Sequence, residues 1–74
     1  MDNYHITKDG DEWKFQKAGA QRAIRRAETK EKIIAYMQGF MESHIGSVKI
    51  HKEDGSIQEE RTYPRSSDPR RTKG

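Results

Sequence analysis

From Asn3 to Gln16, large apolar side chains alternate with polar ones on either side of Asp9-Gly10, Tyr4 and Ile6 before it and Trp13 and Phe15 after it. A period of two broken by Asp-Gly predicts a β-hairpin. A two-residue turn centred on Asp9-Gly10 pairs Lys8 with Asp11, Ile6 with Trp13 and Tyr4 with Phe15, which puts all four large apolar residues on one face. Slipping by one residue would send Trp13 and Phe15 to the opposite face, so the pattern resists that slip.

The period changes after Thr29. Thr29 is a good N-cap, because its hydroxyl accepts from a free amide of the first turn, and Glu31 suits the positive end of the helix dipole. Ile33, Ile34, Met37, Phe40, Met41 and Ile45 fall within an arc of about 140° on a helix from about Lys30 to His44, with Gly46 as its stop. Met37 and Met41 are core residues at that spacing. Between hairpin and helix, Ala18 to Glu28 offers Ala20, Ala23, Ile24 and Ala27 at helical spacing, but Gly19 precedes them and the apolar surface is small. This stretch is left open as a third strand, a helix or an irregular crossing.

Ser47 to Lys52 and Ile57 to Tyr63 flank a second Asp-Gly, at Asp54-Gly55, and read as a second hairpin with Val48, Ile50, Ile57 and Tyr63 on one face. Glu59 and Arg61 share that face, which weakens the register. The expected fold is α+β: a small antiparallel sheet of hairpin, possible third strand, one helix and hairpin, with the helix packed on the face carrying Tyr4, Ile6, Trp13, Phe15, Val48 and Ile50. The other face shows His5, Thr7, Lys14, Gln16, Lys49, His51, Gln58, Glu60 and Thr62. Residues 1–63 read as one domain. Residues 64–74, with two prolines, two serines and no large apolar anchor, read as a disordered basic tail.

Seventy-four residues, 30% hydrophobic and 36% charged, allow one small domain with a core of about a dozen side chains. The absence of cysteine excludes disulfides, thiolate metal sites and a cysteine nucleophile. No apolar run approaches the roughly 20 residues of a membrane span, and the first ten residues lack the features of a signal peptide. The expected location is the cytoplasm, without membrane contact. The net charge of +3 is unevenly spread. Residues 1–63 hold 11 basic and 11 acidic side chains, so the excess lies in Arg65, Arg70, Arg71 and Lys73 of the tail. Within the body, residues 14–32 carry seven basic and two acidic groups, and residues 53–60 carry four acidic and no basic ones.

Tyr4, the Lys8-Asp9-Gly10 turn, Trp13, Gly19, Arg22-Ala23, Thr29-Lys30, Val48-Lys49-Ile50-His51, Asp54-Gly55 and Arg61-Thr62-Tyr63 together resemble the bacterial domain-of-unknown-function family 2188. The likeness covers roughly residues 3 to 63. It implies a small bacterial or phage-borne α+β protein, and it carries over no catalytic or ligand residue. Ile24-Arg25-Arg26 is more basic than the family pattern, and Lys32 stands where an acidic residue is commoner.

Hydrolytic chemistry needs a nucleophile, a base and an orienting group in a cleft, and one sheet with one helix has little room for a cleft. Glu59 and Glu60 are adjacent in a strand and point to opposite faces, which spoils them as a catalytic pair. The chain is therefore expected to be non-enzymatic and to need no cofactor. His5 and His51, with Glu60 as a third group, approach each other only if the hairpins lie side by side, and their spacing matches no zinc pattern; no metal site is expected. His44, at the end of the helix, suits a capping or packing role. The clearest functional signal is basic: Arg22, Arg25, Arg26, Lys30 and Lys32, joined by Arg65, Arg70, Arg71 and Lys73, can neutralise phosphates. Nucleic acid bound through nonspecific phosphate contacts is the first expected partner. The alternative is a protein partner, or self-association through exposed sheet edges.

Overall fold

Two Asp-Gly turns, one capped helix and a short crossing assemble into a single five-stranded sheet with the helix on one face. The computed structural model describes residues 2–63: β1 (Asp2–Asp9), β2 (Glu12–Lys17), β3 (Arg25–Ala27), α1 (Lys30–Phe40), β4 (Gly46–His51) and β5 (Ile57–Tyr63). The tail expected over 64–74, with Arg65, Arg70, Arg71 and Lys73, lies outside the described residues.

The strand order is β3-β2-β1-β4-β5. Three neighbouring pairs are antiparallel, but β1 and β4 run parallel, with Tyr4 beside Val48 and Ile6 beside Ile50. The sheet is therefore mixed, not antiparallel throughout as the two hairpins suggested. The chain from Gly10 to Ile45, including α1, provides the long crossover that a parallel pair requires. Burial decides which strands meet. β1 and β4 bring Tyr4, Ile6, Val48 and Ile50 together at the centre, and β5, with Glu59 and Arg61, takes an edge where charge is tolerated.

The first hairpin keeps its predicted faces but changes its partners. Asp9 pairs with Glu12 and Ile6 with Phe15, so the loop is Gly10-Asp11 rather than Asp9-Gly10. Gly10 has φ +65°, and among the described residues no non-glycine residue has positive φ. A loop centred on Asp9-Gly10 would require positive φ at both positions; with Gly10 first, a type II′ geometry asks it of the glycine alone. The slip displaces β2 by two residues, so Trp13 and Phe15 still face the helix.

Ala18 to Glu28 resolves into a turn, an irregular crossing and the three-residue β3. The Ile24 amide donates to the Phe15 carbonyl at 2.7 Å and returns the chain to β2. α1 opens as expected, the Thr29 hydroxyl accepting from the Lys32 amide at 3.1 Å. It ends at Phe40, four residues before His44. Amides of Glu42, Ser43 and His44 bond to carbonyls three residues back, a tightened final turn. His44 Nδ1 donates to the Phe40 carbonyl at 2.7 Å and its ring stacks on Phe40 with centroids 3.8 Å apart, so the imidazole both caps and packs. Beyond this turn the helical arc no longer applies, and Ile45 is 60% exposed rather than buried.

Gly46 is the first residue of β4, not a helix stop. A Cβ there would lie 2.6 Å from the Asp2 carbonyl oxygen and 2.9 Å from a Tyr4 ring carbon, so the glycine lets β4 approach β1. In the second hairpin, Val48 pairs with Arg61 and Ile50 with Glu59, and a bulge then sets His51 opposite Ile57. The bulge carries Ile57 off the apolar face, and it is 54% exposed. The core is Tyr4, Ile6, Trp13, Phe15, Ile33, Met37, Met41, Val48 and Ile50, with Ile24, Ala27, Ile34, Phe40 and Tyr63 packed around it. No helix among the described residues is long and apolar enough to cross a membrane.

Candidate functional site

The basic residues of the 14–32 segment divide between two places. The β2–β3 crossing begins with a turn at Gly19 (φ +83°), where the Ala20 amide donates to the Lys17 carbonyl and the Gln16 side-chain amide donates to the Ala20 carbonyl at 2.6 Å. The chain then swings away from β2 and returns at Ile24. Between crossing and strand lies an open groove lined by Lys14, Gln16, Gln21, Arg22, Ala23, Ile24, Arg25 and Arg26. Its lining holds four cations, two side-chain amides and no carboxylate.

Each cation is placed by its strand position. Arg25 is level with Phe15 on the helix side, and its guanidinium lies 5.2 Å from the centroid of the Tyr36 ring, a cation–π arrangement. Arg26 is level with Lys14 on the uncovered face. Its Nη1 reaches Asp9 at 2.8 Å and Glu12 at 3.6 Å. The hydrogen bond from Arg26 is the main reason the Asp9 carboxyl is held below its ordinary range. Arg22 is exposed in the crossing, and no carboxylate lies within ion-pair distance of it among the described residues.

Lys30 and Lys32 do not join this groove. Lys30 opens α1 with its ammonium 5.1 Å from the Trp13 ring and bonds the Gln58 side chain, while Lys32 pairs with Glu28 at 3.1 Å within the same segment. Gln58, expected on the open face, thus reaches the start of the helix. The structure instead adds Lys14, Gln16 and Gln21 to the groove. Their signal was available in part: alternation put Lys14 on the open face, but its meeting with Arg26 depends on β3 pairing with β2.

A second polar cluster lies on the uncovered face, where the parallel pairing of β1 and β4 brings two histidines together. His5 Nδ1 and His51 Nε2 are 2.9 Å apart, and His51 Nδ1 is 2.8 Å from the Gly55 carbonyl oxygen. A carbonyl only accepts, so His51 Nδ1 carries a proton; in the neutral ring Nε2 then accepts, and His5 Nδ1 is the donor. Desolvation first, then the charges of His51 and Lys49, lower the pKa of His5 from the ordinary histidine value. Glu60, the expected third group, is level with Lys49 on the same face but bonds other partners. It accepts from the buried Ser47 hydroxyl at 2.6 Å and lies 3.6 Å from the Lys49 ammonium, and these contacts lower its pKa. Among the described residues no group of three or more His, Cys, Asp and Glu side chains converges.

Over residues 4–63 the sequence matches the family described as uncharacterized protein conserved in bacteria (DUF2188), and the chain belongs to that family. No curated protein and no solved structure matches it.

Proposed function

We propose that this protein is a non-enzymatic binding module that holds an acidic partner in the groove between β2 and the β2–β3 crossing, with nucleic acid as the first partner. The observation that carries this reading is the lining: Lys14, Arg22, Arg25 and Arg26 border the groove with Gln16 and Gln21, Arg25 from the helix side and Lys14 and Arg26 from the uncovered face, and no carboxylate is part of the lining. Cations of one sign on one concave surface raise the local concentration of an anion, and phosphate contacts need no base-specific geometry. Arg22 is the freest of the four, Arg25 is pre-oriented by Tyr36, and Arg26 shares its charge with Asp9 and Glu12. Lys30 and Lys32 contribute to the field rather than to contact. The arginines and lysine of the tail add a sequence-independent electrostatic arm.

The test is fluorescence anisotropy of labelled DNA and RNA oligonucleotides at two salt concentrations, with the full chain, a chain ending at Tyr63, and Arg22→Ala combined with Arg25→Ala. Binding that survives truncation, weakens in the double variant and shows a shallower salt slope there supports the groove. Equal binding by the double variant removes the groove from the account. A second reading rests on β5, whose outer edge is unpaired over seven residues among the described ones and is open to a partner strand or a second copy. No oligonucleotide binding at low salt, together with a mass that rises with concentration, would favour that reading.

A further inference from the structure

The histidine pair on the uncovered face has a geometry that neither phosphate binding nor core packing requires. His5 and His51 come from parallel neighbouring strands, with His5 level with Lys49 and His51 one position beyond Ile50. Two imidazole nitrogens lie 2.9 Å apart. Nitrogens that each bind one ion at about 2.0–2.1 Å and stand about 2.9 Å apart subtend about 90° at it, the angle between adjacent ligands in square-planar coordination. We propose that His5 Nδ1 and His51 Nε2 form a two-imidazole site for a divalent first-row transition ion that favours such geometry, nickel(II) or copper(II).

Two features of the surroundings fit this assignment. The first is the outer contact of His51. A metal-binding imidazole ordinarily donates its second N–H to a carbonyl or carboxylate, and His51 Nδ1 already donates to Gly55, leaving the Nε2 lone pair directed toward His5. His5 moves its proton from Nδ1 to Nε2, a change of tautomer that leaves both rings neutral and releases no proton, and the two rings turn so that both lone pairs leave the line between the nitrogens and meet at the ion. The second is access: both histidines are only partly buried on the uncovered face, so the remaining positions open to water or an exogenous ligand. Lys49, the cation level with His5, is drawn toward Glu60.

The experiment uses the full chain and nickel(II) chloride as the probe, with His44 as an internal reference for a single exposed imidazole. Isothermal titration gives the stoichiometry and affinity, and paramagnetic broadening in NMR spectra gives the location. The expected result is one ion per chain, with the His5 and His51 signals broadened at substoichiometric nickel before those of His44. His5→Gln and His51→Gln should each weaken binding at least tenfold while keeping dispersed spectra. Should a variant lose its fold, the order of broadening in the wild-type chain still decides. Broadening of His44 at the same nickel concentration, binding that survives His51→Gln, or no binding at millimolar nickel would each overturn the proposal.

Discussion

The two hairpins, β1–β2 and β4–β5, carry the same dipeptide at their bends, Asp9-Gly10 in one and Asp54-Gly55 in the other, yet they differ in where they turn and in how they are held. In the first, both strands face the helix, and Tyr4, Ile6, Trp13 and Phe15 are all buried. Its register is regular, and its turn places positive φ only on glycine. In the second, β4 supplies Val48 and Ile50, but β5 offers Glu59 and Arg61 across from them, and these pair with each other at 2.9 Å. The turn is longer, with the Lys52 amide donating to the Ser56 carbonyl and the Asp54 carboxylate accepting from the Ser56 amide and hydroxyl. One hairpin is fixed by burial on both strands; the other is fixed by burial on one strand and local polar bonds on its partner. A turn signal therefore closes a hairpin, and its flanking side chains decide where it lies in the sheet.

The largest expected effect comes from emptying the first hairpin's share of the core. Phe15 is fully buried, stacked on Tyr4 at 5.3 Å and edge-on to Phe40 at 5.2 Å. Phe15→Ala should cost about 3–5 kcal/mol, enough to unfold a domain of this size, whereas Ile57→Ala in the second hairpin should change stability by less than about 0.5 kcal/mol. Chemical denaturation of both variants checks the contrast, and equal losses would erase the distinction between the hairpins.

A smaller effect is expected where the hairpins meet. Gly46→Ala drives a methyl group against the Asp2 carbonyl and the Tyr4 ring, and should cost about 1–3 kcal/mol while leaving helix content unchanged. Thermal melts followed by circular dichroism test this. A neutral result would mean that β4 does not need to approach β1 so closely.

The smallest effect is a pH dependence carried by the contact between His5 of one hairpin and His51 of the other. His5 has a lowered pKa in the fold, so between about pH 6.5 and that lower value the unfolded chain binds more protons than the folded one. Stability should therefore fall as pH drops below about 6.5 and level off once folded His5 is also protonated. The lowered carboxyl pKa values of Asp9, Asp54, Glu59 and Glu60 remove stability in a separate, more acidic range. In His5→Gln the slope near neutrality should flatten and the acidic limb should remain. An unchanged slope would detach the histidine contact from the stability of the sheet.

The legible parts of the fold are those with a local cause. Thr29 starts the helix because a hydroxyl beside free amides is sufficient for a cap, and Ile33, Met37, Val48 and Ile50 reach the core because their spacing allows one burial face. The groove was legible only in part. Arg22, Arg25 and Arg26 stood out by charge, but Lys14 joins them through the pairing of a three-residue strand that has almost no sequence signal of its own. Lys30 and Lys32 carried the same charge signal; Lys30 was drawn away by Trp13 and Gln58, distant in sequence, and Lys32 by its neighbour Glu28 four residues back.

By itself the sequence determined the types of β1, β2, α1, β4 and β5 but not of β3, as well as the helix-facing side of the sheet and the basic character of the 14–32 segment, because alternation, capping and charge act over a few residues. The tertiary structure decided the parallel pairing of β1 with β4, the displacement of β2 relative to β1, the early end of α1 and the meeting of His5 with His51. The first and last of these outcomes depend on which apolar strands share the centre of the sheet and on how closely Gly46 lets them approach, and both are set by packing between residues more than forty positions apart.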